Sequence, residues 1–263
     1  MTFFDMHMHT GSGEAFRELI TWLHTDPPYR AVPSATSSRE AKVLFDTVES
    51  DPRLQQHLFP AAGLHPWNAG LGEPELRRIE SYLLKGPWIG EIGLDRPWCD
   101  VPLEKQLTVF RTQLELGARH CRPVLIHSKG YEEQVLYELR DYPHPVIIHW
   151  YSCQDPELLE RFIAQRFYFT LGPDNGDVAD TEALWRTVPL DRVLLETDGL
   201  EAIRWAEDTQ AEEETQYDLE KRSASHLLIS LEERLTRFAE KRQLDPAAAG
   251  RIIAANSKRF INS

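Results

Sequence analysis

The chain has 263 residues, 41% of them hydrophobic, and 29 lysines and arginines against 42 aspartates and glutamates give a net charge of −13. This length suits one large domain or two small ones with a substantial core. The negative charge argues against a broad phosphate-binding surface, so any contact with nucleic acid would be local.

The location of the protein is indicated by what the sequence lacks. No apolar run approaches the roughly 20 residues that span a bilayer, and the N-terminus has no basic segment followed by an apolar one, as a signal peptide would. The three cysteines, Cys99, Cys121 and Cys153, are widely spaced and are interpreted as free thiols in a reducing compartment. We therefore expect a cytoplasmic protein with no membrane partner.

The predicted elements alternate between short β-branched runs and amphipathic stretches, which predicts a parallel sheet with crossover helices. The predicted strands span residues 3–9, 31–35, 58–64, 88–92, 123–127, 146–149, 167–171 and 192–196. The predicted helices between them span residues 14–24, 38–49, 73–84, 103–120, 132–140, 156–165 and 181–187.

Eight β/α units of this length match a (β/α)8 TIM barrel, whose active site lies at the C-terminal ends of the strands. We predict a single α/β domain over residues 1–263, with the barrel over about 1–200 and extra C-terminal helices over about 213–262, at 214–242 and 246–260. The acidic stretch 201–220 either begins a solvated helix or edges the mouth of the barrel.

The first strand ends in two histidines, His7 and His9. Side chains two positions apart in a strand share one face, so both imidazoles can bind one metal ion. A lone His-x-His pattern is a weak indication, because a histidine near a strand end is more often only hydrogen-bonded.

Five more residues of ligand type follow later strands: His65, Glu91, His127, His149 and Asp198. Taken singly, the histidines can be turn or core residues and the aspartate a helix N-cap, although a carboxylate such as Glu91 is costly to bury unpaired. Taken together, groups at the ends of neighbouring strands meet at one mouth, which predicts a shared metal site.

The residues of this site lie in segments that resemble the TatD-type metal-dependent hydrolases, a branch of the metal-dependent TIM-barrel hydrolases. The similarity covers about residues 3–200, and the segment from Gly90 to Asp95 is its most specific part. The other matching segments are Asp5-x-His7-x-His9, Gly63-Leu64-His65-Pro66, Gln106 with Phe110, Pro123-Val-Leu-Ile-His127-Ser128, His149 and Glu196-Thr197-Asp198.

The resemblance implies a site for two divalent metal ions, which the mixed donor set suits for Zn²⁺, Mn²⁺ or Mg²⁺. His65 is implied at the rim, as a substrate-phosphate contact or a residue behind the ligands. The implied ligands are His7, His9 and Asp198 for one ion, His127 and His149 for the other, and Glu91 between the two.

The resemblance also implies a function, because the family is associated with deoxyribonuclease activity, including removal of nucleotides from the 3′ end of DNA. We therefore predict a phosphodiesterase or deoxyribonuclease that acts at DNA ends through a water activated by two metal ions. Asp198 is the expected general base, with Glu91 and His65 as further catalytic residues.

Two alternatives stay open at this point, because a fold does not fix a substrate. The protein could hydrolyse an amide, a lactone or a phosphoester of a small molecule. It could also be a mainly binding subunit, with partner proteins, of a multi-protein system such as defence against phage.

The substrate contacts depart from the usual family pattern. Lys129 stands where an arginine is usual and lacks its bidentate fork. Trp150 and Tyr151 replace the usual pair after the sixth strand and either stack on a base or pack the barrel mouth. The other departures are Thr10-Gly11 and Leu200.

Overall fold

The computed structural model describes residues 1–11, 13–210 and 223–261. Eight parallel strands form one sheet in the order β1 to β8, each followed by helix. The predicted (β/α)8 barrel with extra C-terminal helices is therefore confirmed. Among the described residues, no helix is both long and apolar enough to cross a membrane.

The strands are β1 (Phe3–Met8), β2 (Tyr29–Ala35), β3 (Ala61–Ala62), β4 (Ile89–Asp95), β5 (Val124–Lys129), β6 (Val146–Ile148), β7 (Tyr168–Leu171) and β8 (Val193–Leu195). The helices are α1 (Glu14–Leu23), α2 (Ser38–Ser50), α3 (Gly72–Lys85), α4 (Leu103–Arg119), α5 (Glu132–Leu139), α6 (Pro156–Ala164), α7 (Ala179–Thr187), α8 (Leu200–Gln210), α9 (Ser225–Lys241) and α10 (Pro246–Ile261). Two short 3₁₀ helices, Leu54–Gln56 and Pro66–Leu71, flank β3.

Two predicted strands differ most from the structure. The strand predicted over 58–64 is only two residues long, because the segment after it turns into the 3₁₀ helix that begins at Pro66. The strand predicted to end at residue 92 continues to Asp95, paired with β5 as far as Lys129. Its glycines allow this: a Cβ at Gly93, where φ is +152°, would lie 1.9 Å from the His127 carbonyl oxygen.

The segment after β8 also differs from the prediction. The first part of the acidic stretch forms α8, whose Ile203 and Ala206 are buried while Glu201 and Asp208 are exposed. This agrees with a solvated helix start for the described part. The rest of the stretch, and the N-terminal part of the helix predicted over 214–242, lie outside the described residues.

Two register shifts turn the ligand residues into the barrel. Met6 belongs to the cluster inside the barrel but Met8 to the layer between sheet and helices, and the pairing of β1 with β2 shifts between Asp5 and Met8. The pairing of β4 with β5 shifts likewise between Ile89 and Ile92. Because a side chain changes face with each residue in a strand, such a shift re-aims the side chains beside it.

The opposite end of the barrel is closed by α10. Its Phe260 packs on Trp88, with ring centroids 5.9 Å apart, and on Tyr168, at 5.4 Å. This apolar layer, with Phe4 and Met6 inside the barrel, supports the strands from below. The mouth at their C-terminal ends is left for polar groups.

Candidate metal centre

Glu91 lies at the centre of the mouth and is 1% exposed. Its two carboxylate oxygens face different histidines. Oε2 lies 3.4 Å from His7 Nε2 and 3.2 Å from His9 Nε2. Oε1 lies 2.7 Å from His127 Nδ1 and 3.4 Å from His149 Nε2. One buried carboxylate thus separates the histidines into two pairs.

Asp198 joins the pair on the Oε2 side. Its Oδ1 lies 3.2 Å from His7 Nε2 and 3.6 Å from His9 Nε2. The residue has φ of +57°, which aspartate tolerates in turns, and its backbone N–H donates to the His7 carbonyl at 3.1 Å. That bond holds the end of β8 against β1.

The structure therefore brings all six predicted ligands together. Three groups of side chains have donor atoms within 4.8 Å of one another: His7 with His9 and Asp198, His7 with Glu91 and His149, and His65 with Glu91 and His127. His7 Nε2 and Asp198 Oδ1 are buried and have no hydrogen-bond partner among the described residues. Unpaired lone pairs of imidazole and carboxylate, so placed, fit a divalent cation.

The pKa shifts of His7 and Glu91 agree with a cation at this position. Burial disfavours a protonated His7, but Glu91 and Asp198 outweigh it and hold the pKa of His7 well above its usual range. Burial is likewise outweighed for Glu91, whose pKa lies well below its usual range because of His149 and the other surrounding histidines. A bound cation would take the place of the proton on His7, since imidazole binds metal in its neutral form.

Each ligand histidine has a second partner that sequence reasoning left without a role. His127 Nε2 bonds Asp95 Oδ2 at 2.9 Å, and His149 Nδ1 bonds Glu196 Oε2 at 2.9 Å. Ser34 serves two rings: its Oγ lies 3.2 Å from His7 Nδ1 and its carbonyl 3.0 Å from His9 Nδ1. Such partners fix the orientation of ligand rings.

Asp95 and Glu196 carry a signal in the sequence, because each is a carboxylate next to a ligand segment. Both are fully buried, which is costly for an unpaired carboxylate. Ser34 has no comparable signal, since a serine at a strand end is ordinary.

His65 begins the 3₁₀ helix, and its Nδ1 accepts the backbone N–H of Trp67 at 3.2 Å. The proton of the neutral ring is therefore on Nε2, which lies 3.7 Å from Glu91 Oε2. Burial lowers the pKa of His65 to about 4, so the ring is neutral near pH 7. His65 is buried, so this arrangement makes Nε2 a hydrogen-bond donor inside the mouth, next to Glu91.

The predicted substrate contacts are only partly at the mouth. Lys129 is buried, and its ammonium donates to the Trp150 carbonyl and to Ser152 Oγ, at 2.7 Å for the latter. Tyr151 is fully buried against Phe162, which favours the packing alternative over stacking on a base. Trp150 is half-buried at the rim, with its ring centroid 6.3 Å from that of His149.

The profile of one protein family, described as TatD-related DNase, matches residues 4–262 of the chain. The chain belongs to this family. The predicted resemblance is thus confirmed, and the protein is a metal-dependent hydrolase whose six donor side chains stand at the mouth of its barrel.

Individual members of the TatD family are similar to this chain over most of its length. It is 28% identical over 212 residues to the metal-dependent hydrolase YjjV of Escherichia coli K12, covering 70% of this chain and 79% of the relative. It is 27% identical over 177 residues to the 3′-5′ ssDNA/RNA exonuclease TatD of Erwinia tasmaniensis, covering 63% of this chain and 66% of the relative.

The solved structures agree on the fold. The crystal structure of YjjV, a TatD homolog from Escherichia coli K12, superposes with a TM-score of 0.77 at 22% identity, covering 99% of this chain and 98% of the other. At this identity the likeness supports the barrel alone.

Proposed function

We propose that this TatD-family protein is a divalent-metal-dependent phosphodiesterase that acts at the ends of nucleic-acid strands, DNA in the first place. The observation that carries the proposal is the convergence of four histidines on the two oxygens of the buried Glu91, with Asp198 beside two of them. A cluster of this kind at the C-terminal face of a barrel is where such folds place their chemistry.

In this proposal His7, His9 and Asp198 hold one ion, His127 and His149 hold a second, and Glu91 serves both. Two divalent ions at such a site lower the pKa of water and offset the charge that develops on phosphoryl oxygens.

Two side chains have further roles in the proposed reaction. Asp198, next to the ion that it would hold with His7 and His9, is the proposed acceptor of the proton from the attacking water. His65 Nε2 is the proposed donor to an oxygen of the phosphate.

Two observations support the ends of nucleic-acid strands as the substrate. The similar protein of Erwinia tasmaniensis is named a 3′-5′ exonuclease of single-stranded DNA and RNA. The net charge of −13 repels a long polyanion, so a duplex lying across the mouth is disfavoured. A strand end that enters the mouth requires few phosphate contacts.

The test is a substrate panel with Mn²⁺, Mg²⁺ or Zn²⁺: 3′-labelled single-stranded DNA, RNA, closed circular duplex, a generic phosphodiester, and amide and lactone substrates. We expect release of nucleotides from the labelled end, and loss of that release in Asp198→Asn. Hydrolysis of only the amide or lactone would overturn the proposal, as would faster cleavage within the closed circle than at a free end.

A further inference from the structure

Four of the seven tryptophans lie on segments that leave the C-terminal ends of the strands. Trp67 follows β3, Trp98 follows β4, Trp150 follows β6, and Trp205 lies on α8 after β8. The exposed fractions of Trp67, Trp98 and Trp205 are 55%, 58% and 52%. Large aromatic rings exposed around one opening are unusual for a surface that binds nothing.

The first two tryptophans are tied to the metal centre through Asp95. Trp67 Nε1 donates to Asp95 Oδ2 at 2.8 Å, and the backbone N–H of Trp98 donates to Asp95 Oδ1 at 2.9 Å. The same carboxylate bonds the ring of His127. The indole of Trp67 and the backbone of Trp98 are thereby both bound to the carboxylate that also bonds His127.

Trp205 follows the strand across the mouth from Trp98, because β8 is four strands away from β4 in the barrel order, and Trp150 packs beside Trp205. The ring centroids of Trp150 and Trp205 are 5.8 Å apart, and that of Trp150 is 6.3 Å from His149. The indole N–H of Trp150 donates to Asp174. Gly172 leaves room for this ring, since a Cβ there would lie 2.3 Å from Trp150 Cδ1.

Two of the exposed tryptophans have an exposed arginine near them in the sequence. Arg96 lies two residues before Trp98, and Arg204 directly precedes Trp205. In the sequence, a cationic side chain thus lies within two residues of each of these exposed rings. Nucleotides are bound by this combination, since a base stacks on the ring while the cation meets the backbone.

We propose that Trp98 and Trp205 are stacking positions for the bases of a single-stranded nucleic acid whose end lies at the metal centre. This inference rests on the proposed function and names the part of the substrate that the protein holds. Stacking also accounts for how an acidic protein binds a polyanion: affinity comes from the bases and from few phosphate contacts. Binding should then depend weakly on salt, with a slope of log affinity against log salt on the order of −1 to −3.

The test compares Trp98→Ala, Trp205→Ala and the double variant with the wild type. Affinity is measured by fluorescence anisotropy in Mn²⁺ for a labelled short oligothymidylate with slowly cleaved phosphorothioate linkages, and for the same backbone without bases. We expect each single variant to weaken binding of the oligothymidylate by about fivefold or more. The losses should multiply in the double variant, since the two rings are on opposite sides of the mouth. Binding of the base-free backbone should be unchanged.

The matched control is Tyr137→Ala, which removes an aromatic ring 55% exposed on the outer helix α5 and should not alter binding. The inference would be overturned if the double variant bound the oligothymidylate with wild-type affinity. It would also be overturned if the variants lost as much affinity for the base-free backbone as for the oligothymidylate. Equal weakening of a nitrophenyl phosphodiester would overturn it in favour of a small aromatic substrate. Failure of the proposed function is seen separately, as a wild type that neither binds nor cleaves the oligonucleotide.

Discussion

Asp95→Asn tests whether the partner behind a ligand histidine sets the affinity for metal. The Asp95 carboxylate accepts three hydrogen bonds: His127 Nε2 and Trp67 Nε1 at Oδ2, and Trp98 N at Oδ1. An asparagine has one acceptor oxygen and one NH2 group. Whichever way the amide is turned, its NH2 group faces at least one N–H donor.

The magnitude follows from the better of the two orientations. With the amide oxygen at the Oδ2 position, the hydrogen bonds from His127 and Trp67 remain, but their acceptor is now a neutral oxygen instead of a charged one. A hydrogen bond to a charged group contributes about 1.5–3 kcal/mol and a neutral one about 0.5–1.5 kcal/mol. A loss of about 1.4 kcal/mol is a factor of ten, and partners of this kind typically matter by 10–100-fold in metal affinity. We therefore expect one ion to bind about 10–100-fold more weakly.

The assay is competition with a chelator for Zn²⁺, with the ion content followed by elemental analysis. The ring of His127 gives a second readout. Burial lowers its pKa, but Glu91 and Asp95 outweigh burial and raise it, so Asp95→Asn should lower the pKa of His127 and reduce the protons released on metal binding. Asp100→Asn, an exposed residue of the same loop, is the control. Two ions bound by Asp95→Asn with wild-type affinity would refute the reasoning.

Three further substitutions test separate parts of the structure. Glu91→Gln should lose both ions in elemental analysis, because glutamine offers one neutral acceptor oxygen; retention of two ions would contradict the shared role. His65→Ala should keep its metal content and lose turnover, and metal loss would place His65 among the ligands. Arg234→Met should lower the free energy of unfolding in urea by about 1.5–3 kcal/mol, because the hydrogen bonds of a buried charged group are lost. Arg234 is 1% exposed and donates to the Glu196 carbonyl at 2.8 Å, whereas the exposed Arg237→Met on the same helix should have little effect.

The barrel was predictable from the sequence because alternation of strand and helix is a property of the whole chain. The shortest strands were not, since β3 pairs through only two residues and owes its place to β2 and β4 on either side. The bounds of helix α8 were not predicted either: its acidic residues indicated a solvated helix start but obscured the two buried positions, Ile203 and Ala206. The sequence left two alternatives open for Trp150 and Tyr151 because adjacent residues of a loop can face opposite ways, and the φ of +35° at Trp150 sets which of them is buried.

The ligands and the residues behind them differ in how far the sequence reveals them. A histidine or a glutamate after an apolar strand is unusual, so the strand ends alone indicated the candidate ligands, and the resemblance to the TatD family then separated His65 from them. Ser34 is different, because it bonds His7 through its hydroxyl but His9 through its backbone carbonyl. Any residue at position 34 could provide that backbone carbonyl, so the identity of the residue there does not reveal how the ring of His9 is oriented. What places it there is the pairing of β1 with β2 and the register shift between Asp5 and Met8. The ligands of this site can thus be found by residue type, whereas the aim of their rings depends on strand register, which only the fold determines.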